Sequence, residues 1–513
     1  MDQLTTQYQW LSSLQTRIQH IAVIRLIVAF ILGGLLPLSF APFDFWPVAI
    51  LSIIGWQLIS AQNTAKQSFY TGWSYGFGVF AVGASWVYVS IHDYGYAPVP
   101  LALFLTVLFT LLLGLFFAVQ GYVYQRFFHQ RAYASLIAFP LIWVLFEWIR
   151  SWFLTGFPWL YLGYGHLDTW LSGWAPVFGV YGVSLIVAFT ASAINNHLVH
   201  GSCGPKRFAI AGCVSLWIGG ALLAPIEWSK PQEKFTVALL QGNIPQEKKW
   251  QPEYRPVSLK TYEELSRNLN VDLIIWPETA VPYFPHQVSD WLTRLENSLQ
   301  PQQGLITGIP AINPSSTKEN RIFHNSVTTL GKAEGLYYKQ KLVPFGEYVP
   351  LQSYLRGLIE FFDLPMSNFK RGASEQAALS YSNTKLFPAI CYEIAYPGFV
   401  ASNVNRLDAG MILTLSNDAW FGDSIGPKQH LQIAQMRALE NQRYVLRATN
   451  TGLTAVISPK GQIKHDMPSF TAGGIKSTVT SYSGSTPYSS WQNWPLLALI
   501  VITLAAIRYR KAQ

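Results

Sequence analysis

Charge is what this sequence has least of. Only 12% of its 513 residues are Asp, Glu, Lys or Arg, against roughly 25% in a soluble domain, and so sparse a charge excludes an ordinary fully solvated globule. Cysteine is scarcer still. Three residues, with no CxxC pair and no Cys/His cluster, exclude a disulfide framework and a zinc site. No internal repeat and no low-complexity tract interrupts the chain. Basic residues exceed acidic ones by a formal +9, which alone would suit nucleic acid. Much of that charge lies in short segments between apolar runs, where the positive-inside bias puts it, so a nucleic-acid partner is excluded.

What the chain has instead is apolar and aromatic surface: 50% hydrophobic residues, 15% aromatic, 19 Trp. Apolar stretches predict membrane spans near Ile21–Phe40, Phe45–Ile59, Phe69–Ile91, Pro100–Tyr124, Tyr133–Trp152, Leu171–Ile194, Phe208–Ala224 and Trp494–Ile507. That makes about eight, on the ~20 residues a helix needs to cross hydrocarbon. Arg17, Lys66, Arg126, Arg131, Lys206, Arg207, Arg508, Arg510 and Lys511 all fall on one side if the chain starts there. That side is then cytoplasmic, and so are both termini. Loops of the other side, such as His92–Val99, are nearly free of Lys and Arg. The first apolar run has no small-x-small cleavage site after it and reads as a retained span. The polar segment from Pro225 to about Gln492 lies outside. The expected divisions are 1–226 for the N-terminal spans, 232–488 for an extracytoplasmic catalytic domain and 492–513 for the last span and a basic tail.

One outer loop departs from the charge rule. Glu147, Trp148 and Arg150 end the fifth span, and Gly156–Leu160 with Trp159 follows. An interfacial aromatic belt accounts for the Trp and Tyr but not for Arg150, which at that depth could hold a phosphate bidentately.

From Lys234 the pattern changes. Strand-like runs at Phe235–Gln241, Val271–Trp276, Gly304–Gly308, Lys385–Ile390, Met411–Leu415, Tyr444–Thr449 and Thr454–Ile457 alternate with helical ones at Tyr254–Asn268, Trp291–Leu299 and His430–Asn441. Asn325–Leu330 and Gly335–Tyr338 read as a hairpin around Gly331. The alternation predicts an α/β domain, whose sites lie at strand tips. Three tips carry chemistry: Glu278 after Trp276-Pro277, Lys339 after Tyr337-Tyr338, and Cys391 after Leu386–Ile390. A thiol, a base to take its proton and a cation to steady an oxyanion suit acyl transfer. Taken singly, each has an ordinary structural reading: a solvated loop Glu, a surface Lys, a core Cys. In the topology above, however, Cys203 is cytoplasmic and Cys213 intramembrane. Cys391 is then the one thiol on an oxidising side, with no disulfide partner.

These residues resemble a known set. Trp276-Pro277-Glu278, Lys339 within Tyr338–Glu347, and Cys391-Tyr392-Glu393 are similar to the Glu-Lys-Cys triad of the nitrilase (carbon–nitrogen hydrolase) superfamily. Nearly the whole chain resembles its apolipoprotein N-acyltransferase family, most specifically at Gly156–Leu160, Leu342–Glu347 and Ser416–Asp423. Gln429–Gln432, Met436–Glu440 and Arg447–Gly452 add to the match. The resemblance implies a nitrilase-like αββα sandwich on a polytopic helical membrane base. It implies transfer of a fatty acyl chain from a phospholipid to the α-amino group of a diacylglyceryl-cysteine at the N-terminus of an apolipoprotein. In it Cys391 is the nucleophile, Glu278 the base and Lys339 the oxyanion support. Glu347 corresponds to a second acid. Trp250, Asn325, Tyr392, Glu393, Trp420 and Phe421 correspond to substrate or supporting positions, and Arg150 and Trp159 to a membrane-face motif. No cofactor or metal is implied, and nothing requires more than a monomer in the bacterial inner membrane.

Structural readings stand beside these: Trp420 and Phe421 as core cover, Arg437, Glu440 and Arg443 as ion pairs at helical spacing, Asp418 as a turn cap. Two segments could shelter a thioester from water: Val281–Ser289, with Tyr283 and Phe284, and Val349–Lys370, with Leu355, Leu358, Ile359, Phe361 and Phe362. Two rival functions share the pattern, a membrane-tethered amidase and a transporter with a catalytically dead outer domain. The number of spans argues against the first, and the intact acid, base and thiol against the second.

Overall fold

The computed structural model describes residues 21–131, 133–200, 206–317, 321–344, 346–348 and 369–509. The segment 349–368, with the aromatics of the second shelter, lies outside the described residues, as do Phe345 and Cys203. The chain forms two compact units. One gathers the described residues of Met1–Tyr88, Pro100–Ile226 and Asn493–Gln513; the other joins Val89–Val99 to Glu227–Gln492.

Every expected apolar stretch is helical. In chain order these are α1 (Ala22–Leu35), α2 (Pro47–Ser60), α3 (Ala65–Gly83), α4 (Trp86–His92), α5 (Val99–Phe127), α6 (Phe139–Arg150), α7 (Ala175–His200) and α8 (Lys206–Leu223), with a last helix at Trp494–Tyr509. Among the described residues three helical stretches are long and apolar enough to cross a bilayer, Ala22–Ser39, Val99–Phe127 and Trp170–Val199; α3 and α4, bent by 63°, make a fourth if taken as one span. Pro47–Ser60, Phe208–Leu223 and Trp494–Tyr509 are apolar but shorter. α3 starts at a capping box, in which Gln67 N donates to Thr64 Oγ1 and Thr64 N to Gln67 Oε1. It lies hard against α1. A Cβ on Gly33 would fall 1.9 Å from Tyr75 O, and one on Gly78 2.1 Å from Phe30 O, the close approach that small residues give packed apolar helices.

The end of α6 corrects one expectation. Arg150 is not open to a phosphate. It is 2% exposed, its Nη1 donates to Trp159 O at 2.5 Å, and its guanidinium lies over the Phe80 and Tyr161 rings at 5.2 and 4.9 Å. Glu147 Oε1 beside it accepts Trp143 Nε1 and Leu162 N. A charge at this depth is kept by internal partners, and here they tie the helix end to the loop that carries the buried Trp159.

The second unit holds β1 (Lys230–Gln241), α9 (Arg255–Ser266), β2 (Leu273–Ile275), α10 (Ser289–Ser298), β3 (Gly304–Ile312), β4 (Phe323–Gly331), β5 (Ala333–Glu334), β6 (Leu336–Tyr338), β7 (Leu379–Tyr381) and β8 (Thr384–Ile390). It continues through α11 (Pro397–Leu407), β9 (Met411–Ser416), α12 (Gly426–Asn441), β10 (Tyr444–Thr449), β11 (Thr454–Ile457), β12 (Ile463–Met467) and β13 (Gly473–Ser483). Six strands form one sheet in the order β13-β1-β2-β3-β4-β6, and seven form another, β12-β11-β10-β9-β8-β7-β5. Each sheet has a parallel centre, β1-β2-β3 in one and β8-β9-β10 in the other. β4 and β6 pair as the expected hairpin, but Ala333–Glu334 between them crosses to pair with β7 of the other sheet.

Side-chain alternation makes four layers. Val237, Leu239, Leu273, Ile275 and Ile306 face Leu386, Ile390, Leu413, Leu415 and Leu446 between the sheets. Their strand neighbours turn outward. Ala238, Leu240 and Ile274 meet Leu259, Tyr262 and Leu295 of α9 and α10, while Phe387, Ile412 and Val445 meet Val400, Val404, Leu431 and Ala434 of α11 and α12. Strands apolar on both faces are what a parallel centre needs. Cys391 packs on the rim of the inter-sheet core.

One glycine sets the height of the Glu278 turn. Gly308 N donates to Pro277 O, and Val281 N donates to Gly308 O. A Cβ on Gly308 would lie 2.3 Å from Thr279 N and 2.7 Å from Glu278 Cα. Gly308→Ala should therefore push the Glu278 turn away while leaving the sheets folded. The expected outcome is loss of ~10²-fold in turnover, the order that follows a 1 Å misplacement, with a thermal unfolding temperature within a few degrees of wild type. Unchanged turnover would show that the turn tolerates the displacement.

Candidate active site

β2, β6 and β8 end beside the start of β4 and bring the expected set together. Lys339 follows β6 and is 1% exposed. Its Nζ donates to Glu347 Oε1 at 2.9 Å and lies 3.4 Å from Glu278 Oε1. Asn325 on β4 bridges the same two acids, its Nδ2 donating to Glu278 Oε1 at 2.7 Å and Glu347 Oε1 at 2.8 Å. Glu347 in turn accepts Val343 N at Oε2. Burial pulls the Lys339 pKa down, but the Glu347 and Glu278 carboxylates outweigh it and hold the ammonium well above the ordinary lysine value.

Cys391 is half-buried and stands at φ +52. For a non-glycine residue that left-handed turn carries strain, and such strain clusters at functional sites. Burial pushes the thiol up to about 12, the Glu278 charge adds to the rise, and Lys339 opposes it. At neutral pH the sulfur therefore keeps its proton, so any nucleophilic role requires a base as the bond forms.

Glu393 explains why an acid stands two residues after the thiol. It is fully buried and accepts N–H groups from Gln340 (2.6 Å), Lys341 (3.0 Å) and Ile390 (2.8 Å), together with the Tyr337 hydroxyl at 3.0 Å. One carboxylate thus braces the segment after Lys339 against the turn at Cys391. Burial raises it to about 7 against the pull of those N–H groups. Tyr392 is buried and packs edge-on against Tyr396.

The other expected residues lie further out. Trp250 is half-buried, and its carbonyl accepts Arg255 Nε. Trp420 and Phe421 are half-buried in the turn after β9. Trp420 takes the Ser90 hydroxyl on its carbonyl at 2.7 Å and the Tyr94 ring at 6.0 Å, so the loop expected only as an outer connection belongs with this unit. Arg150 and Trp159 are residues of the helical unit. In Val281–Ser289, Tyr283 lies under Arg255, and Phe284 packs on Phe323. Among the described residues no group of three His, Cys, Asp or Glu could hold a metal ion.

Sequence reasoning missed Lys249. It is 1% exposed, its Nζ donates to the Glu278 carbonyl at 3.1 Å, and burial lowers it to about 8, against the pull of Glu278. Within Gln246-Glu247-Lys248-Lys249 it looks like one more surface charge. The apolar Ile244 just upstream was the only hint that the segment folds inward.

A thiol, a carboxylate and an ammonium at strand ends of an αββα sandwich define a carbon–nitrogen hydrolase-type centre, and the carbon-nitrogen hydrolase profile matches residues 236–488. The profile of the apolipoprotein N-acyltransferase N-terminal domain matches residues 32–193. The chain is 43% identical over 500 residues to apolipoprotein N-acyltransferase of Azotobacter vinelandii, covering 95% of each. It is 43% identical to that of Pseudomonas syringae, covering 93% of this chain and 95% of the relative. For Coxiella burnetii the identity is 41%, covering 93% and 98%. The chain belongs to the apolipoprotein N-acyltransferase family.

Removing Lys339 would strand two buried carboxylates. Lys339→Met should cost ~3–5 kcal/mol of stability, and adding Glu347→Gln should recover part of that loss. Chemical unfolding in detergent checks both. An equal loss in the single and double variants would mean that the acids do not depend on the ammonium.

Proposed function

We propose that this chain transfers a fatty acyl group from a membrane phospholipid to the α-amino group of a diacylglyceryl-cysteine at an apolipoprotein N-terminus, through a thioester on Cys391. The observation that carries the mechanism is the buried Glu278–Lys339 pair beside Cys391 at the sandwich rim.

In the first half-reaction the sulfur attacks the ester carbonyl of the phospholipid while Glu278 takes the thiol proton. The oxyanion forms beside the Lys339 ammonium, which Glu347 keeps charged and in place. Collapse breaks the C–O bond, and Glu278 returns the proton to the leaving alkoxide, releasing a lysophospholipid. In the second half-reaction the acceptor amine attacks the thioester carbonyl and Glu278 takes an amine proton. The C–S bond breaks, and the sulfur is reprotonated. Trp250, Tyr392, Trp420 and Phe421 are proposed to line the path of the lipid chains.

We place residues 1–226 and 492–513 in the inner membrane as about eight spans and 232–488 on the periplasmic side, with both termini cytoplasmic and the protein a monomer. The run of basic residues between alternate apolar helices supports this orientation.

Acyl-enzyme trapping tests the chemistry. Detergent-solubilised protein incubated with a phospholipid labelled in its acyl chain, without acceptor, should acquire hydroxylamine-labile label. Cys391→Ala should acquire none, and a diacylglyceryl peptide amine should discharge it. Ammonia released from simple amides without any label would favour the tethered amidase. The thiol adds a pH test. Because its pKa is raised in the fold, iodoacetamide alkylation of Cys391 should be slow at pH 7 and climb through pH 10. A plateau below pH 8 would mean a preformed thiolate and would sink the requirement for a base.

A further inference from the structure

The strained turn at Cys391 has a second support outside the Glu-Lys-Cys set. β8 ends at Ile390, opposite Leu415 of the parallel β9, and Cys391 then turns left-handed at φ +52. His430, one turn into α12, lies behind it. The ring is 1% exposed, and Nε2 is 3.2 Å from the Cys391 carbonyl oxygen. Nδ1 lies 3.2 Å from Arg447 Nη2 and 3.1 Å from Asp418 Oδ1. Arg447, on β10, also donates to Asp418 Oδ2 and to Leu453 O, and Ser416 Oγ donates to Asp418 Oδ1 at 2.6 Å. Asp418 and Arg447 are both fully buried. The cluster therefore joins the end of β9, the start of α12 and β10 at one point, and that point touches the nucleophile's own carbonyl.

We propose that His430 is a positioning residue for Cys391: its Nε2–H holds the Cys391 carbonyl and so fixes the left-handed turn that presents the thiol, while Arg447, itself anchored on Asp418, holds the ring at Nδ1. The inference rests on Cys391 being the nucleophile. Only a neutral imidazole protonated at Nε2 both donates to the carbonyl and accepts the Arg447 N–H at Nδ1. Burial, followed by the Arg447 charge, lowers the His430 pKa and favours that neutral form. Asp418 is held as the anion, well below the usual carboxylate range, because the Arg447 charge outweighs its burial. A carbonyl gripped at its oxygen also fixes the plane of the Cys391–Tyr392 peptide. With that plane held, the left-handed turn at Cys391 cannot relax without giving up the His430 contact, and displacement of the sulfur is thereby opposed. His430 touches no reacting atom in this scheme. It acts through the backbone of Cys391.

The test is single-turnover acylation of the full-length, detergent-purified protein by the labelled phospholipid, with melting temperature measured on each sample. His430→Leu should lower the maximal acylation rate by ~10–10²-fold, the scale of a small misplacement of a reacting group, with half-saturating phospholipid within about twofold of wild type. His430→Gln places an N–H near the Nε2 position and should recover most of that rate, although it loses the contacts at Nδ1. His430→Asn, whose amide reaches only the Nδ1 position, should not. Should the Leu variant fail to fold, the Gln and Asn variants decide, because a purely structural role would slow them in step with their melting temperatures. Equal rates for Gln and Asn, or a wild-type rate for folded Leu, would overturn the proposal while wild-type protein still labels at Cys391. A wild type that never labels at Cys391 would instead overturn the acyltransferase mechanism and this inference with it.

Discussion

The Lys339 ammonium, buried between Glu278 and Glu347, is the contact on which the rest of the site depends. Two carboxylates this close would not both stay charged in a low-dielectric rim, and an isolated buried lysine would give up its proton. Together with the two Asn325 N–H donors they satisfy one another. Lys249 at the Glu278 carbonyl brings the local count to two acids and two bases. Such a cluster gives little net stability, because desolvation consumes most of the Coulomb gain. What it gives is position. The members come from separate segments of the chain, so Glu278 cannot drift from Cys391 without unpairing a buried charge.

The backbone carries the same logic. Glu278 precedes Thr279 at φ +51, and Cys391 stands at φ +52. Both turns are unfavourable for residues with a Cβ, and each is held at its carbonyls. Gly308 N holds Pro277, Lys249 holds Glu278, and Ser258 Oγ holds Ala280. Glu393, accepting from the Ile390, Gln340 and Lys341 amides, joins the Lys339 segment to the Cys391 turn. Strain at the reacting groups is thus met by hydrogen bonds from elements far apart in sequence.

That distribution sets what could be read beforehand. Parallel central strands are apolar on both faces, so Phe235–Gln241, Met411–Leu415 and Tyr444–Thr449 stood out as runs, and the acid, base and thiol stood out because they ended such runs. The outer strands did not. β12 is exposed along most of its length, and β13, rich in Ser and Thr, buries little beyond Val479 and Ser481; each is a strand only because a neighbour's edge needs it. β7 is three residues long. The apolar membrane stretches were legible as helices, but periodicity carried no sign that Arg150 would be spent on Trp159 O and two rings. Lys249, His430, Asp418 and Arg447 act through burial and tertiary partners, and their local sequence is that of caps, surface charges or helix filler.

A thiol held up to about 12 looks at first like a poor nucleophile, but for this reaction a neutral resting sulfur has two advantages. The thiolate is the form that oxidants attack, and on the outer side of the membrane proposed for this domain a standing thiolate would be exposed to them between turnovers. In the proposed mechanism the sulfur also becomes strongly nucleophilic only while its proton passes to Glu278, which ties reactivity to the moment an ester carbonyl lies between Glu278 and the Lys339 ammonium. In that scheme, after acylation, Glu278, now without a thiol to serve, is free to take a proton from an amine. In the proposed mechanism the Glu278 charge, which helps burial keep the resting thiol protonated, is therefore also the group that directs the thioester towards its acceptor.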